Sequence, residues 1–236
     1  YVALQLKAIA SGLTVLTGTQ GGSGPWWSDS TLYIALALAG FTVAFGTRHL
    51  DTSERHEGLV AAIAVESIVK LLAFLAVGAF VCWKLFDGPA DIFARAAADP
   101  QLRSLAGLGG ESKFAGGQWA ALTLLAMLSV IFLPRQFQVM VVENVDERHL
   151  KRAAWAFPLY LLLINLFVLP IAFGGLLLFA GRPMDPEAFV LSLPLAHGQP
   201  MLALLAFVGG LSAATGMVIV ESIAVSGMVC NDLVMP

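Results

Sequence analysis

The chain has 236 residues, of which 58% are hydrophobic and only 12% charged. A water-soluble domain carries about 25% charged residues, so too few polar groups remain to cover a surface facing water. The formal net charge of −3 argues against a nucleic-acid partner.

A hydrocarbon core about 30 Å thick needs about 20 helical residues. Against that ruler six apolar runs stand out in chain order. They are 1–18, 31–47, 58–83, 118–142, 153–180 and 200–230. None alternates every second residue, as strands of a membrane barrel would. The expected fold class is therefore an all-α polytopic membrane protein with six transmembrane helices. The fourth run carries Pro134 and the fifth carries Pro158 and Pro170, so kinks are expected in both. The sixth is long enough to tilt or to break. Cys82 and Cys230 lie in apolar runs without metal-ligand spacing and are expected as buried free thiols. No methionine and no signal-peptide pattern opens the chain, which reads as a segment of a longer protein.

The breaks between runs differ in character. GTRHLDTSERHEG and ENVDERHLKR are short and hold two and three Lys or Arg. Short basic loops stay in the cytoplasm, and alternation of six spans puts loops 47–57 and 143–152 on that one face. The longer stretches 84–117 and 181–199 then face the other side. A short surface helix is expected around 90–105, serving as a lid or vestibule element or simply as a linker. His49, His56, Asp51, Glu54 and Glu57 match no metal-ligand spacing and read as a solvated turn, with Asp51 or Thr52 capping the third helix. No nucleophile elbow, phosphate loop or HExxH pattern occurs, so this segment is not expected to be an enzyme.

Ionisable groups at membrane depth are expensive and turn toward protein or water. Here they are Lys7, Glu66, Lys70, Arg135 and Glu221. Glu66 and Lys70 are four apart, on one helix face. That spacing fits a proton or ion relay and also a structural pair that neutralises itself, the second being the simpler reading. Lys7 sits near a span end, where it can snorkel. Glu221 lies beside Ser222 and Ser226, which suits an interhelical polar contact. Pro134 frees a backbone carbonyl, and unpaired backbone in a bilayer survives only against protein or a water-filled cavity. Arg135 beside it can hold a carboxylate through two parallel hydrogen bonds, or pair with a neighbouring acid and only hold the helix. The small-residue patch GGLSAATG (209–216) suits close helix packing, and its hydroxyls Ser212 and Thr215 suit a hard cation.

FGTRHLDTSERHEGLVAAIAVESIVKLLAFLAVG, FLPRQFQVMVVENVDERHL and the ending SGMVCNDLVMP together resemble the sodium:solute symporter family over essentially all 236 residues. LPRQFQV in particular is similar to the symporter-like domains at the N-terminus of bacterial sensor histidine kinases, often hybrid ones. The resemblance implies a single domain over 1–236, holding core helices three to eight of a leucine-transporter-type inverted repeat. It implies sodium- or proton-coupled symport of a small polar solute such as an amino acid, in the inner membrane of a bacterium. It also implies kinase domains further along the parent chain, with a sensor that binds solute without transporting it as the alternative. Gln5, Pro134, Arg135, Gln136 and Gln138 would line the solute path. Sodium is the one cofactor implied, and no organic group is expected. Its site would involve Ala213, with Ser212 and Thr215 near. The family's hydroxyl pair falls here on Gly216 and Met217, which have none.

Overall fold

The computed structural model describes residues 2–18, 30–46, 57–106, 116–137, 141, 144, 146–181 and 184–230. Among them every regular element is helical. The α-helices are α1 (Val2–Thr17), α2 (Ser30–Gly46), α3 (Glu57–Phe80), α4 (Pro89–Ala98), α5 (Pro100–Ala106) and α6 (Gly116–Phe132). They continue with α7 (Pro134–Phe137), α8 (Glu147–Asn165), α9 (Val168–Leu178), α10 (Phe189–Ala196) and α11 (Pro200–Val229). Three stretches are long and apolar enough to cross a membrane, Ala61–Leu85, Arg148–Leu178 and Pro200–Ser226. They coincide with three of the six expected spans. α1, α2 and α6 are apolar helices of 16, 17 and 17 residues at the places of the other three.

The chain divides into two compact units. The first holds Tyr1–Lys70, Val130–Leu150 and Phe207–Pro236, and in it α1 packs on α2. The second holds Leu71–Ser129 and Lys151–Ala206. Its core gathers the end of α3, the π-helical turn Val81–Leu85, α4, α5, α9 and α10. Val77, Val81, Cys82, Ile92, Ala96, Leu102, Ile171 and Leu193 are all buried there. Cys82 is the buried thiol expected, whereas Cys230 at the end of α11 is only half-buried.

Local chemistry explains where these helices begin and end. Pro100 pushes its neighbour Asp99 into extended backbone (φ −82°, ψ 120°), which stops α4. The Asp99 carboxylate then accepts the Gln101 N–H at 2.8 Å and caps α5. So the helix expected around 90–105 is two helices, and it is no linker: Ile92 and Ala96, one turn apart, bury one face of α4 against α9. Beside that face Arg95 forks onto Asp91, with Nε–Oδ1 and Nη2–Oδ2 both 2.9 Å, and lies 5.4 Å above the Phe86 ring. The hydrogen bond from Arg95 holds the Asp91 carboxyl below the usual carboxylate range. A lowered folded pKa means the pair contributes above the ordinary value of about 3.9 and is lost as pH falls through the lowered one.

The stretch 181–199 also differs from the expected loop. Asp185 accepts the Glu187 N–H at 3.0 Å and opens a 3-10 turn, Pro186–Ala188, that leads into α10. Gly198, at φ +69°, ends α10 and lets Gln199 donate to the Pro194 carbonyl at 2.9 Å before Pro200 opens α11. In the fifth span α8 runs on through Pro158, and the interruption falls at Leu166–Phe167 instead. The cause is Pro170, which has no N–H to give the Leu166 carbonyl four residues back. It sits in the first turn of α9, where none is needed. α11 runs unbroken through 209–216.

Phe167, at that interruption, seats on Gly78 of α3, where an added Cβ would overlap its ring. Its ring also meets Trp83 edge to face at a centroid distance of 6.0 Å. Replacing Gly78 with leucine should therefore destabilise the second unit by about 1–3 kcal/mol. Thermal unfolding in detergent checks this, with Gly210→Leu as the control because nothing lies within 4 Å of Gly210.

Candidate functional site

The expected site residues fall mainly in the first unit. α6 ends at Phe132, Leu133 bends, and Pro134 opens the four-residue α7, whose Phe137 N–H returns to the Leu133 carbonyl at 3.0 Å. The backbone is thus interrupted beside Pro134, which stands at the first helical position, where its missing N–H has no partner to lose. Pro134 and Arg135 are placed by their backbone in α7, Gln136 is half-buried, and Gln138 lies outside the described residues. Gln5 is half-buried on α1, where Lys7 is exposed. His49, Asp51, Thr52, Glu54 and His56 lie outside the described residues, and Glu57 opens α3.

The structure brings together α3 and α11. On α11 the buried positions Gly209, Ala213, Val220 and Ala224 recur at helical spacing, and Gly216 belongs to the same stripe. Three of these five positions are glycine or alanine in the stretch 209–216, so the backbone is open to a neighbour there. The neighbour is Glu66. Its carboxylate lies against the Gly216 backbone, and a Cβ at that position would fall on its oxygens and 2.8 Å from its carboxyl carbon. Glu66 is half-buried, and the half-buried Lys70, one turn further along α3, acts on it electrostatically. The residue that α11 offers at this point is therefore an absence of side chain, and α3 fills the space with a charge-bearing group.

Around this contact the hydroxyls bond to their own helices. Thr215 Oγ1 donates to the Leu211 carbonyl at 2.8 Å, Ser67 Oγ to Ile63 at 2.8 Å and Ser222 Oγ to Val218 at 2.7 Å. A hydroxyl that donates in this way still carries lone pairs that can accept. Ser212 and Glu221 are half-buried and Ala213 is buried. Among the described residues no cluster of three His, Cys, Asp or Glu is placed to hold a metal.

Comparison of the chain with protein-family models, curated proteins and solved structures yields no match. The contact between Glu66 and Gly216 therefore stands on its own geometry. Residue types alone single out Glu66 and the small-residue patch separately. Their pairing spans 150 residues of chain, and no local spacing signals it.

The seat predicts strong coupling between the two positions. A Cβ at Gly216 meets only the far end of the flexible Glu66 side chain, so Gly216→Ala should cost little, whereas Gly216→Leu should cost about 1–3 kcal/mol by filling the seat. In a Glu66→Ala background Gly216→Leu should cost close to nothing. A double-mutant cycle on unfolding temperature in detergent measures this coupling.

Proposed function

We propose that this chain is an ion-coupled transport domain of a bacterial inner membrane, carrying a small polar solute such as an amino acid. The observation that carries the reading is the Glu66 carboxylate, about a turn and a half into the candidate span Ala61–Leu85 and lodged against α11. Ionisable groups in such places mark ion and solute pathways. A carboxylate there takes up a proton or, with the lone pairs of nearby hydroxyls, a hard monovalent cation. The oxygen donors of Glu66 and Thr215 suit sodium, which prefers hard oxygen ligands as other hard cations do.

The resemblance to sodium:solute symporters gives the donor set its meaning. At position 216, where that family presents a hydroxyl, this chain has glycine, and the Glu66 carboxylate arrives at the same place. Coupling thus passes from an α11 hydroxyl to an α3 carboxylate. The interruption beside Pro134 adds the second element, because transporters form solute sites from discontinuous helices. Arg135 next to the interruption supplies a fixed cation for the carboxylate of an amino acid, with Gln5, Gln136 and Gln138 as polar partners. In this reading all six apolar runs cross the bilayer, in a partial leucine-transporter-type arrangement.

A second reading is favoured by one stretch, LPRQFQV, which is similar to the symporter-like domains of sensor histidine kinases. There the same pocket serves two-component signalling, with or without transport.

Uptake of labelled amino acids into proteoliposomes tests both. Transport driven by an imposed sodium or proton gradient, and reduced at least about tenfold in Glu66→Gln, supports the coupled transporter. Arg135→Gln should raise KM about tenfold or more, from loss of a charge-assisted hydrogen-bond pair. Binding without uptake supports the sensor, and absence of any amino-acid binding overturns both.

A further inference from the structure

At the start of α8 a cationic stripe runs directly into an apolar span. Arg148, Lys151, Arg152 and Trp155 stand at positions i, i+3, i+4 and i+7 of one continuous helix. At 100° per residue they share an arc of about 100° on its surface. All four are exposed, and Trp155 at 84% is the most exposed large apolar side chain of the described residues. The helix start is fixed without them. Asp146 accepts the Arg148 N–H at 2.8 Å through its carboxylate and the His149 N–H at 2.9 Å through its carbonyl. That carboxylate is thereby tied to the helix cap. Glu147, 40° beyond Lys151 by the same periodicity, lies outside the arc. The candidate span Arg148–Leu178 begins at the first of the cations.

We infer that this stripe binds the headgroup of an anionic phospholipid. Arginine forks match phosphate oxygens in pairs, and Lys151 adds a point charge between them. Seven residues of helix set Trp155 about 10 Å deeper than Arg148. A tryptophan ring with an apolar body and one N–H donor suits the boundary between headgroups and acyl chains. Charge complementarity selects the occupant: three cations on one face, in a chain of net charge −3, favour phosphatidylglycerol over a zwitterionic lipid. The chain carries 13 Lys and Arg in all, and three of them lie on two turns of this one helix. The inference needs α8 to meet a membrane and is independent of solute transport.

Quenching of tryptophan fluorescence by brominated lipids tests it, on the intact membrane protein reconstituted in phosphatidylcholine. The chain has five tryptophans, so the Trp155 signal is the difference from Trp155→Phe. Brominated phosphatidylglycerol should quench that signal with an apparent affinity about tenfold higher than brominated phosphatidylcholine, and the preference should shrink in high salt. It should disappear in the triple variant Arg148→Gln, Lys151→Gln, Arg152→Gln and persist in Arg148→Lys, Arg152→Lys. Equal quenching by the two lipids overturns the assignment, as does a preference that survives the triple variant. Loss of the preference on adding millimolar inorganic phosphate would assign the stripe to free phosphate and overturn the lipid.

Discussion

Within each of the two units a side chain is seated on the bare backbone of a glycine. Phe167 lies on Gly78, Phe189 lies on Gly175, and the Glu66 carboxylate lies on Gly216. In each case one methyl group on the glycine would collide with its guest. Lipid tails are as apolar as leucine, so helices in a bilayer gain little by merely burying apolar surface, and close approach at small residues is what remains. Two of the guests are aromatic rings, which fill such a socket at no electrostatic cost. The third is a carboxylate, which brings an ionisable group into the contact.

The two kinds of seat sit in different surroundings. Around Phe167 and Phe189 the second unit is densely apolar, with Phe189 stacked on Phe179 at 5.9 Å and Phe93 edge-on to Phe173 at 5.9 Å. The π-helical turn Val81–Leu85 and Gly88 (φ +114°, open only to glycine) swing the chain from α3 into α4 and close that core. Around Glu66 the first unit instead offers Thr215, Ser67 and Lys70. Polar neighbours offset the cost of burying such a group, whereas phenylalanine around it would not.

Much of the helical layout was legible because apolar run length is a direct signal. The runs 58–83, 153–180 and 200–230 appear as membrane-length helices, and Pro134 does interrupt the backbone of the fourth. Where two prolines competed, composition could not choose. Pro158 is tolerated inside α8, whereas the chain is interrupted at Leu166–Phe167, ahead of Pro170, and there Phe167 seats on Gly78. The helix 189–196 was missed although its punctuation, Asp185–Pro186 before it and Gly198–Gln199–Pro200 after it, stands in the sequence. A run of eight apolar residues is too short to register against a bilayer ruler. Glu66 was recognised through Lys70, its local partner at helical spacing. Its partner Gly216 is 150 residues away and carries no side chain to announce itself.

Oxidative cross-linking in native membranes measures whether the Glu66 side chain meets α11 at Gly216, with Cys82 and Cys230 first replaced by serine and cysteine then introduced at Glu66 and Gly216. Glu66→Cys with Gly216→Cys should link rapidly at low oxidant, and Glu66→Cys with Gly210→Cys, six residues earlier on α11, should not. Equal rates for the two pairs, or no link at 66 and 216, would contradict that contact.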